Sequence, residues 1–444
     1  MAVRDILLLA AVAVSLPVCL LRPVYGIVLL TILGFLNPQS FTYGIAHQVP
    51  LTEIVVIPTL AGFLFSGRFK YLFCIEMCLL CVLWAWFTLT TVNSANTPEL
   101  AEKAADAWFR WGFVSKILLV TAATVGIMNT RARLRLLLLA IGVSFAILVL
   151  KTLPGMILSG GRFRIYGPDN SMIGDNTAFG LALDMVLPFF FYLAKTESNR
   201  FLKRFLGIAF VACIPAIFFT YSRGAFVGLV VLGAFMFLQS KQKLILIPMI
   251  TIALLFGAFF APQQWRDRIS LTTDTSESSA KSRLNEWSYS WNLACAYPVM
   301  GGGFEAITPS LHAKYGNFAI DPNNTHGAHS IYFQVLAEHG FGGFSLYLLL
   351  VAYCFISLHG TLKLARLHDD EQCVDYANML RFSLIGFLAA GAFLGRTYFD
   401  FYFMIVACIA ILKQVSREDW AAESEIEEEK MTAGETRLPN HACV

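Results

Sequence analysis

Long apolar runs recur along almost the whole of this 444-residue chain, and they restrict its fold more than any other feature. Hydrophobic residues make up 57% of the chain and charged residues only 14%, which is more apolar surface than one soluble core could bury. A helix of about 20 residues crosses the bilayer core. Runs of that length or slightly shorter lie at 5–21, 23–36, 50–66, 74–91, 113–128, 133–152, 176–194, 205–221, 225–240, 244–261, 330–358, 381–396 and 398–413.

These runs predict an all-α, polytopic membrane protein with twelve or thirteen transmembrane helices. Each run is continuously apolar, whereas the strands of a transmembrane β-barrel alternate between apolar and polar residues. The first two runs meet at Arg22-Pro23. They therefore form either a tight hairpin or one broken element.

Lysine and arginine residues in the short loops predict the orientation. If the spans alternate, the basic loops all fall on one side, which the positive-inside rule places in the cytoplasm. The residues concerned are Arg68, Lys70, Arg131, Arg133, Arg135, Lys195, Arg200, Lys203, Arg204, Lys241, Lys243, Lys363 and Arg366. By parity, segments 37–49, 92–112, 153–175 and 262–329 lie on the outer face.

One long polar segment, residues 262–329, interrupts the apolar pattern and is predicted to be a single long outer loop. A membrane protein that keeps such a loop on one face has a reason to place its chemistry there. The segment carries Arg283, Trp287, Pro298, the glycine run Gly301–Gly303 and His329. The loop is therefore the first place to look for a functional site.

Two other polar segments have simpler interpretations. Thr97-Pro98 has the residues of a helix start, and Trp108 and Trp111 suit the headgroup region, so 92–112 is predicted to be an interfacial anchoring helix. The acidic tail, residues 414–444, is predicted to be disordered cytoplasmic chain. The net charge of +3 is small and gives no reason to expect nucleic-acid binding.

Two arginines and one histidine are the main candidate site residues. Arg223 follows a very short turn between two spans, where an arginine either snorkels or meets an anion such as a phosphate. Arg283 opens a helical stretch that, taken alone, could equally be a surface helix. His329 lies where the loop re-enters the membrane, as either a helix cap or a general base. Together the three suit base catalysis on a lipid-linked phosphate donor.

A zinc site is conceivable at His326 and His329, which are three positions apart in the sequence. No carboxylate or thiolate completes a familiar ligand spacing around them. We therefore predict no metal.

The order and spacing of these outer-face residues resemble the O-antigen ligase/polymerase superfamily of bacterial inner-membrane proteins over residues 200–355. The residues that carry the resemblance are Ser222-Arg223-Gly224, Arg283, Trp287, Pro298, Gly301, Gly303, His329, Tyr332, Glu338, Gly340 and Gly343. One position departs from the pattern: most ligases have asparagine where this chain has Ser330. The departure affects only the role of an amide at that position.

The preceding half of the chain is similar to the branch of O-glycosylation ligases associated with exosortase systems. This likeness rests on Arg22-Pro23, Asn37-Pro38-Gln39, the run Arg162–Gly167 and Asp175-Asn176. It implies four regions. They are an N-terminal transmembrane region of that branch at 1–190, a catalytic region at 200–355 with its periplasmic loop 262–329, C-terminal transmembrane helices at 356–413, and the tail 414–444.

The resemblance implies a membrane glycosyltransferase without cofactor or metal. It would transfer a glycan from an undecaprenyl-diphosphate carrier to an acceptor hydroxyl, on a protein or a glycolipid, at the periplasmic face of the bacterial inner membrane. Inversion at the anomeric carbon is expected. A lipid diphosphate is already an activated leaving group, so the protein has to neutralise it, align the acceptor and remove one proton.

The resemblance also implies a role for each site residue. Arg223 and Arg283 would bind the diphosphate, and His329 would deprotonate the acceptor hydroxyl. The residues expected to support or line the site are Tyr332, Glu338, His326, Arg162, Arg164 and Asp175.

Two alternatives remain open from the sequence. A glycan polymerase of the same superfamily would use the same chemistry with a second lipid-linked glycan as acceptor. A polysaccharide or lipid transporter would also have many spans, but such proteins show repeated halves and midplane charges, which this chain lacks. The sugar, the acceptor and the oligomeric state are not encoded in any motif.

Overall fold

The computed structural model describes residues 3–67, 69–160, 163–239, 278–316 and 327–435. The structure is 82% helical, with no β-strand in these residues. Fourteen α-helices are numbered here in chain order. They are α1 Val3–Leu21, α2 Pro23–Phe35, α3 Leu51–Ser66, α4 Ile75–Asn96, α5 Ala104–Ile127, α6 Arg131–Leu158, α7 Asn176–Thr196, α8 Arg200–Phe219, α9 Arg223–Gln239, α10 Ser278–Ala296, α11 Pro309–Tyr315, α12 Ile331–Leu367, α13 Glu371–Gly391 and α14 Asp400–Glu435.

Seven helices in the described part of the chain are long and apolar enough to cross a membrane. They are α1, α4, α5 with the turn before it, α6, α7, α8 and α12, and the helices α2, α3 and α9 are shorter and also apolar. The prediction of an all-α, multi-pass membrane protein is confirmed. The predicted span at 244–261, and loop residues 262–277 and 317–326, lie outside the described residues.

Segment 92–112 does not form the separate interfacial helix that the sequence predicts. Helix α4 continues to Asn96, a short 3-10 turn spans Ala101–Lys103, and α5 begins at Ala104. The prediction was wrong because polar residues of this connection contact the outer loop, as described below, instead of lying flat at the bilayer surface.

The acidic tail differs from the prediction as well, because α14 continues as a helix to Glu435. Its first turns beyond the apolar part are held by side-chain contacts. Arg131 pairs with Asp419 at 2.7 Å, and the Trp420 ring stacks on His368 with 4.9 Å between centroids. These contacts favour helix over disordered chain at 414–420, while residues 436–444 lie outside the described part.

Helix α7 lies at the centre of the bundle. In its apolar 18-residue stretch, 78% of the residues are buried, a larger share than in any other candidate span among the described residues. It packs on α8, α9 and α13, and small residues permit the close approach. A Cβ on Gly386 of α13 would lie 3.0 Å from the Asp184 carbonyl, and one on Gly180 would lie 2.7 Å from the Ala225 methyl.

Those basic loops that the structure describes gather at one end of this bundle. Ion pairs connect them there: Arg131–Asp370 at 2.6 Å, Arg135–Glu197 at 2.6 Å and Lys195–Asp375 at 2.7 Å. Helices α7, α9 and α12 all begin at the opposite end, together with α10 and α11. We call this opposite end the loop face.

Candidate functional site

Helices α7 and α9 begin side by side on the loop face. Asn176, the first residue of α7, donates from Nδ2 to the Thr220 carbonyl at 2.7 Å. Thr220 belongs to the turn before α9, and Gly180 of α7 packs against Ala225 of α9. The N-termini of two helices, each with the positive end of its dipole, therefore lie next to each other.

The turn before α9 positions Arg223 as the first residue of that helix. Tyr221 has a left-handed backbone with φ +55°. Ser222 then caps the helix by accepting the Ala225 N–H at 3.2 Å. The turn is short and buried, but Arg223 itself is half-exposed on the loop face.

His329 precedes the start of α12, whose N-cap is Ser330. It is half-exposed and has φ +45°. A left-handed non-glycine residue costs about 1–3 kcal/mol and persists only where its surroundings hold it in place. A Cβ on Gly395 would lie 3.4 Å from the His329 nitrogen, so the connection between α13 and α14 runs beside the histidine. Thr397 donates to the Ile331 carbonyl at 3.0 Å and fixes this connection to α12.

Trp287 fixes helix α10 against the segment that carries His329. The indole N–H donates to the Ala328 carbonyl at 2.9 Å. The ring stacks on Phe333, with 5.1 Å between centroids, and lies 6.4 Å from Phe393. Arg283 lies one turn earlier on the same face of α10, since residues four apart are neighbours on a helix.

Phe393 and Arg396 close the arrangement into a ring. A Cβ on Gly224 would lie 3.0 Å from the Phe393 Cβ, which brings α9 to the connection that passes His329. Arg396, on that connection, forms an ion pair with Asp175 at the start of α7. We call the five residues Asp175, Arg223, Arg283, His329 and Arg396 the polar ring.

Asp175 is both an ion-pair partner and a helix cap. Its Oδ1 accepts the Thr177 N–H at 3.0 Å, the Thr177 hydroxyl at 2.5 Å and the Ala178 N–H at 2.8 Å. Burial alone would raise the pKa of this carboxyl, but the hydrogen bonds from Thr177, Ala178 and Arg396 outweigh burial and lower it. Asp175 is therefore ionised, and its carboxylate forms the ion pair with Arg396.

Sequence reasoning missed Arg396. A signal was available, because an arginine between two apolar runs is expensive unless it has a partner. No local motif identified that partner, since Asp175 is 221 positions away.

The remaining predicted residues are not part of the polar ring. Tyr332 donates its hydroxyl to the Leu388 carbonyl at 3.0 Å and packs against the core, which makes it a contact between α12 and α13. Arg164 is exposed on the segment before α7. Arg162 and His326 lie outside the described residues.

Glu338 is the eighth residue of α12 and is buried. It accepts a hydrogen bond from the Tyr398 hydroxyl. The same hydroxyl lies 2.7 Å from His339 Nε2, and His339 Nδ1 lies 2.7 Å from the Thr90 hydroxyl. Sequence reasoning singled out neither His339 nor Tyr398, although an acid and a histidine within an apolar helix were a visible signal.

This buried network lies beneath a joint between the outer loop and a kink in α12. At the kink Gly340 has φ +63° and ψ −171°. The carbonyls that lose helical partners there are all paired, as buried backbone groups need to be. The Ala337 carbonyl accepts from the Gly302 N–H at 2.8 Å, that of Glu338 from the Gly303 N–H at 2.7 Å, and that of His339 from the Trp86 indole at 3.2 Å.

Two glycines make the joint possible. Gly301 also has a positive φ, +65°, and a Cβ there would overlap the Gly340 nitrogen. A Cβ on Gly340 would lie 2.6 Å from the Val299 carbonyl oxygen. At these glycines the two backbones therefore pack directly against each other.

The connection between α4 and α5 holds the outer loop from the other side. Lys103 donates to the carbonyls of Gly303 at 3.2 Å and Phe304 at 2.9 Å. Glu99 accepts from Lys314 at 2.8 Å and from the Tyr297 hydroxyl at 2.8 Å. The hydrogen bonds from Lys314 and Tyr297 lower the pKa of the Glu99 carboxyl, so it stays ionised at neutral pH.

Gly340→Ala is expected to lower stability by about 2–6 kcal/mol, because backbone strain and overlap each cost about 1–3 kcal/mol. The measurement is the thermal unfolding midpoint in detergent. Gly360→Ala in the same helix is the control, since a Cβ there meets no atom within 4 Å and should change the midpoint little. Equal shifts for the two variants would contradict the joint.

Among the described residues, no group of three or more His, Cys, Asp or Glu side chains could hold a metal ion.

Comparison with known families agrees with the predicted resemblance. Residues 208–348 match the family described as O-antigen ligase. Residues 3–198 match a family of unknown function. No curated protein matches the chain. The resemblance to the O-antigen ligase superfamily is confirmed, and the association with exosortase systems stays a prediction. Arg223, Arg283 and His329 lie inside the ligase match, whereas Asp175 and Arg396 lie outside it.

Proposed function

We propose that this membrane protein is a glycosyltransferase that transfers a glycan from undecaprenyl diphosphate to an acceptor hydroxyl on a protein or glycolipid. The match of residues 208–348 to O-antigen ligases supports the enzyme class. The observation that carries the proposal is the polar ring, in which the helices bearing Arg223 and Arg283 adjoin the segment bearing His329 on the loop face.

The reaction needs one bond made, one bond broken and one proton moved. The acceptor oxygen attacks the anomeric carbon, and the bond from that carbon to the diphosphate oxygen breaks. The lipid diphosphate leaves with the electron pair, and His329 takes the proton from the acceptor hydroxyl. Attack from the side opposite the leaving group inverts the anomeric carbon.

Arg223 and Arg283 stabilise the leaving group. A guanidinium group offers planar, paired donors to phosphate oxygens and keeps its charge at any physiological pH. Arg223 also stands at the start of α9, where helix N–H groups favour an anion. Two fixed guanidinium groups supply the charge that a divalent cation supplies in other glycosyltransferases.

The buried residues behind the ring hold the helices in place and do not take part in the bond-making and bond-breaking steps. Glu338 fixes α12 through Tyr398 and His339, and this network keeps the outer loop joined to the helix that begins beside His329. Tyr332 fixes α12 to α13 through its hydrogen bond to the Leu388 carbonyl. Neither residue takes a proton in the proposed reaction.

The site faces the periplasm in this proposal, and the protein lies in the bacterial inner membrane. The ion-paired basic loops lie at the end opposite the loop face. Because basic loops remain in the cytoplasm, this charge distribution supports a periplasmic loop face. The donor tail would lie between the helices, with its diphosphate at the polar ring.

The test is transfer by purified protein in nanodiscs. The donor is the lipid-linked glycan fraction extracted from cells that lack the gene, where unused donor accumulates. Mass spectrometry of surface glycoconjugates from cells with and without the gene identifies the acceptor to add. We expect acceptor glycosylation with release of undecaprenyl diphosphate, and full activity in excess chelator.

Two outcomes would count against the proposal in different ways. No release with the identified acceptor would contradict the proposed reaction. Activity lost in chelator and restored by one added cation would contradict the metal-free mechanism alone.

A further inference from the structure

Arg396 and Asp175 form a contact between parts of the chain that no comparison assigns to the ligase. Asp175 lies in the region that matches a family of unknown function, and Arg396 follows the ligase match by almost fifty residues. Their ion pair joins the start of α7 to the connection between α13 and α14. It does so beside His329, which packs against Gly395.

The pair is open to the loop face. The Arg396 side chain is 30% exposed and that of Asp175 39% exposed, so an anion can reach the guanidinium group without displacing the core. Within the described residues, the contacts of Arg396 engage one terminal nitrogen, which donates to Asp175. The other N–H groups of the guanidinium point away from that contact, because the group is planar and forked.

Asp175 is held by α7 and not only by the arginine. Thr177 and Ala178 bond to its Oδ1, whereas Arg396 bonds to Oδ2. A carboxylate pinned by a helix N-terminus can orient a guanidinium group while its own position stays fixed. The arrangement is that of an arginine prepared for a further anionic partner.

The charge of the reaction makes a third arginine useful. A glycosyl diphosphate diester carries one negative charge on each phosphate, and glycosidic cleavage adds a further charge to the leaving diphosphate. Arg223 and Arg283 supply two positive charges, fewer than the three negative charges of the leaving group. Arg396 adds a third guanidinium group, whose effect is greatest as the leaving charge develops.

We propose that Arg396 is a third diphosphate-binding residue, oriented by Asp175. The assignment rests on the proposed function. It means that the N-terminal region of unknown function contributes directly to the donor site, through the residue that caps α7.

The test compares Arg396→Gln with Asp175→Asn, which break the same ion pair. Binding of undecaprenyl diphosphate to protein in nanodiscs is measured beside the thermal unfolding midpoint. Arg396→Gln should weaken binding by about 10–100-fold, the value of a charge-assisted hydrogen bond. Asp175→Asn removes the acceptor that orients Arg396, but it also removes a negative charge and keeps a good helix cap, so its affinity should fall much less than that of Arg396→Gln. Arg396→Lys should recover part of the affinity.

The unequal losses of affinity distinguish a binding role of Arg396 from a purely structural role of the ion pair. If the pair only braces the fold, both variants will change affinity and the midpoint together, and the assignment is overturned. An unchanged affinity in Arg396→Gln overturns it as well. A wild-type protein that does not prefer undecaprenyl diphosphate to undecaprenol would instead remove the proposed function, and this assignment with it.

Discussion

Replacement of His329 by alanine is expected to lower the rate of glycan transfer by about 10²–10⁴-fold, the range for loss of a general base. Donor affinity and the thermal midpoint should stay close to wild type, since the arginines and the fold remain. The reason is positional: His329 is half-exposed at the start of α12 and held in a left-handed conformation that costs free energy. Strain of this kind is maintained where the orientation of a side chain matters.

Turnover, donor affinity and unfolding are measured on the same preparation. His359→Ala is the matched control, because His359 is an exposed histidine in the same helix, far from the polar ring. Its turnover should equal that of the wild type. Transfer at a near-wild-type rate by His329→Ala would mean that another group takes the proton and that the histidine is structural.

The parts of this molecule that follow from local chemistry were predictable from the sequence. Continuous apolar runs predict helices because the bilayer leaves no other partner for backbone groups, and α1 to α9 lie close to the predicted runs. Arg223 and His329 were visible because each stands at a boundary between apolar and polar chain. Boundaries are local features, and a single sequence shows them.

Contacts between residues far apart in the sequence were not predictable in the same way. The capping residue Asp175 has its arginine 221 positions later, and no spacing rule connects them. The glycine run of the outer loop gave no sign that Gly301 packs against Gly340, about forty positions later. The 92–112 prediction failed for the same reason, since Lys103 and Glu99 have partners on the distant loop.

These long-range contacts give the N-terminal half a physical role. Its α4–α5 connection holds the outer loop through Lys103 and Glu99, and Trp86 pairs with a carbonyl freed at the α12 kink. The region of unknown function therefore supports the segment that lies beside the candidate site. A ligase region separated from it would lose these contacts.

Replacement of either Arg223 or Arg283 by alanine should weaken donor binding as well as turnover, unlike the His329 variant. Each change removes a charge-assisted contact worth about 1.5–3 kcal/mol, which corresponds to about 10–150-fold in affinity. Lysine at either position should restore only part of the affinity, because an ammonium group lacks the planar fork that engages two phosphate oxygens. The measurement is the dissociation constant of undecaprenyl diphosphate beside turnover, for all variants in the same nanodiscs.

Arg200→Ala provides the control for these arginines. Arg200 is an exposed first residue of an apolar helix, α8, as Arg223 is the first residue of α9, but it lies at the end of the bundle that carries the basic loops. Arg200→Ala should therefore leave donor affinity unchanged, although it too removes an arginine from a helix terminus. If Arg223→Ala and Arg283→Ala bind donor as tightly as Arg200→Ala does, the two arginines snorkel at the membrane edge and do not hold the diphosphate. Weakened affinity in both, with affinity kept in His329→Ala, would divide the polar ring into residues that bind the leaving group and one that moves the proton.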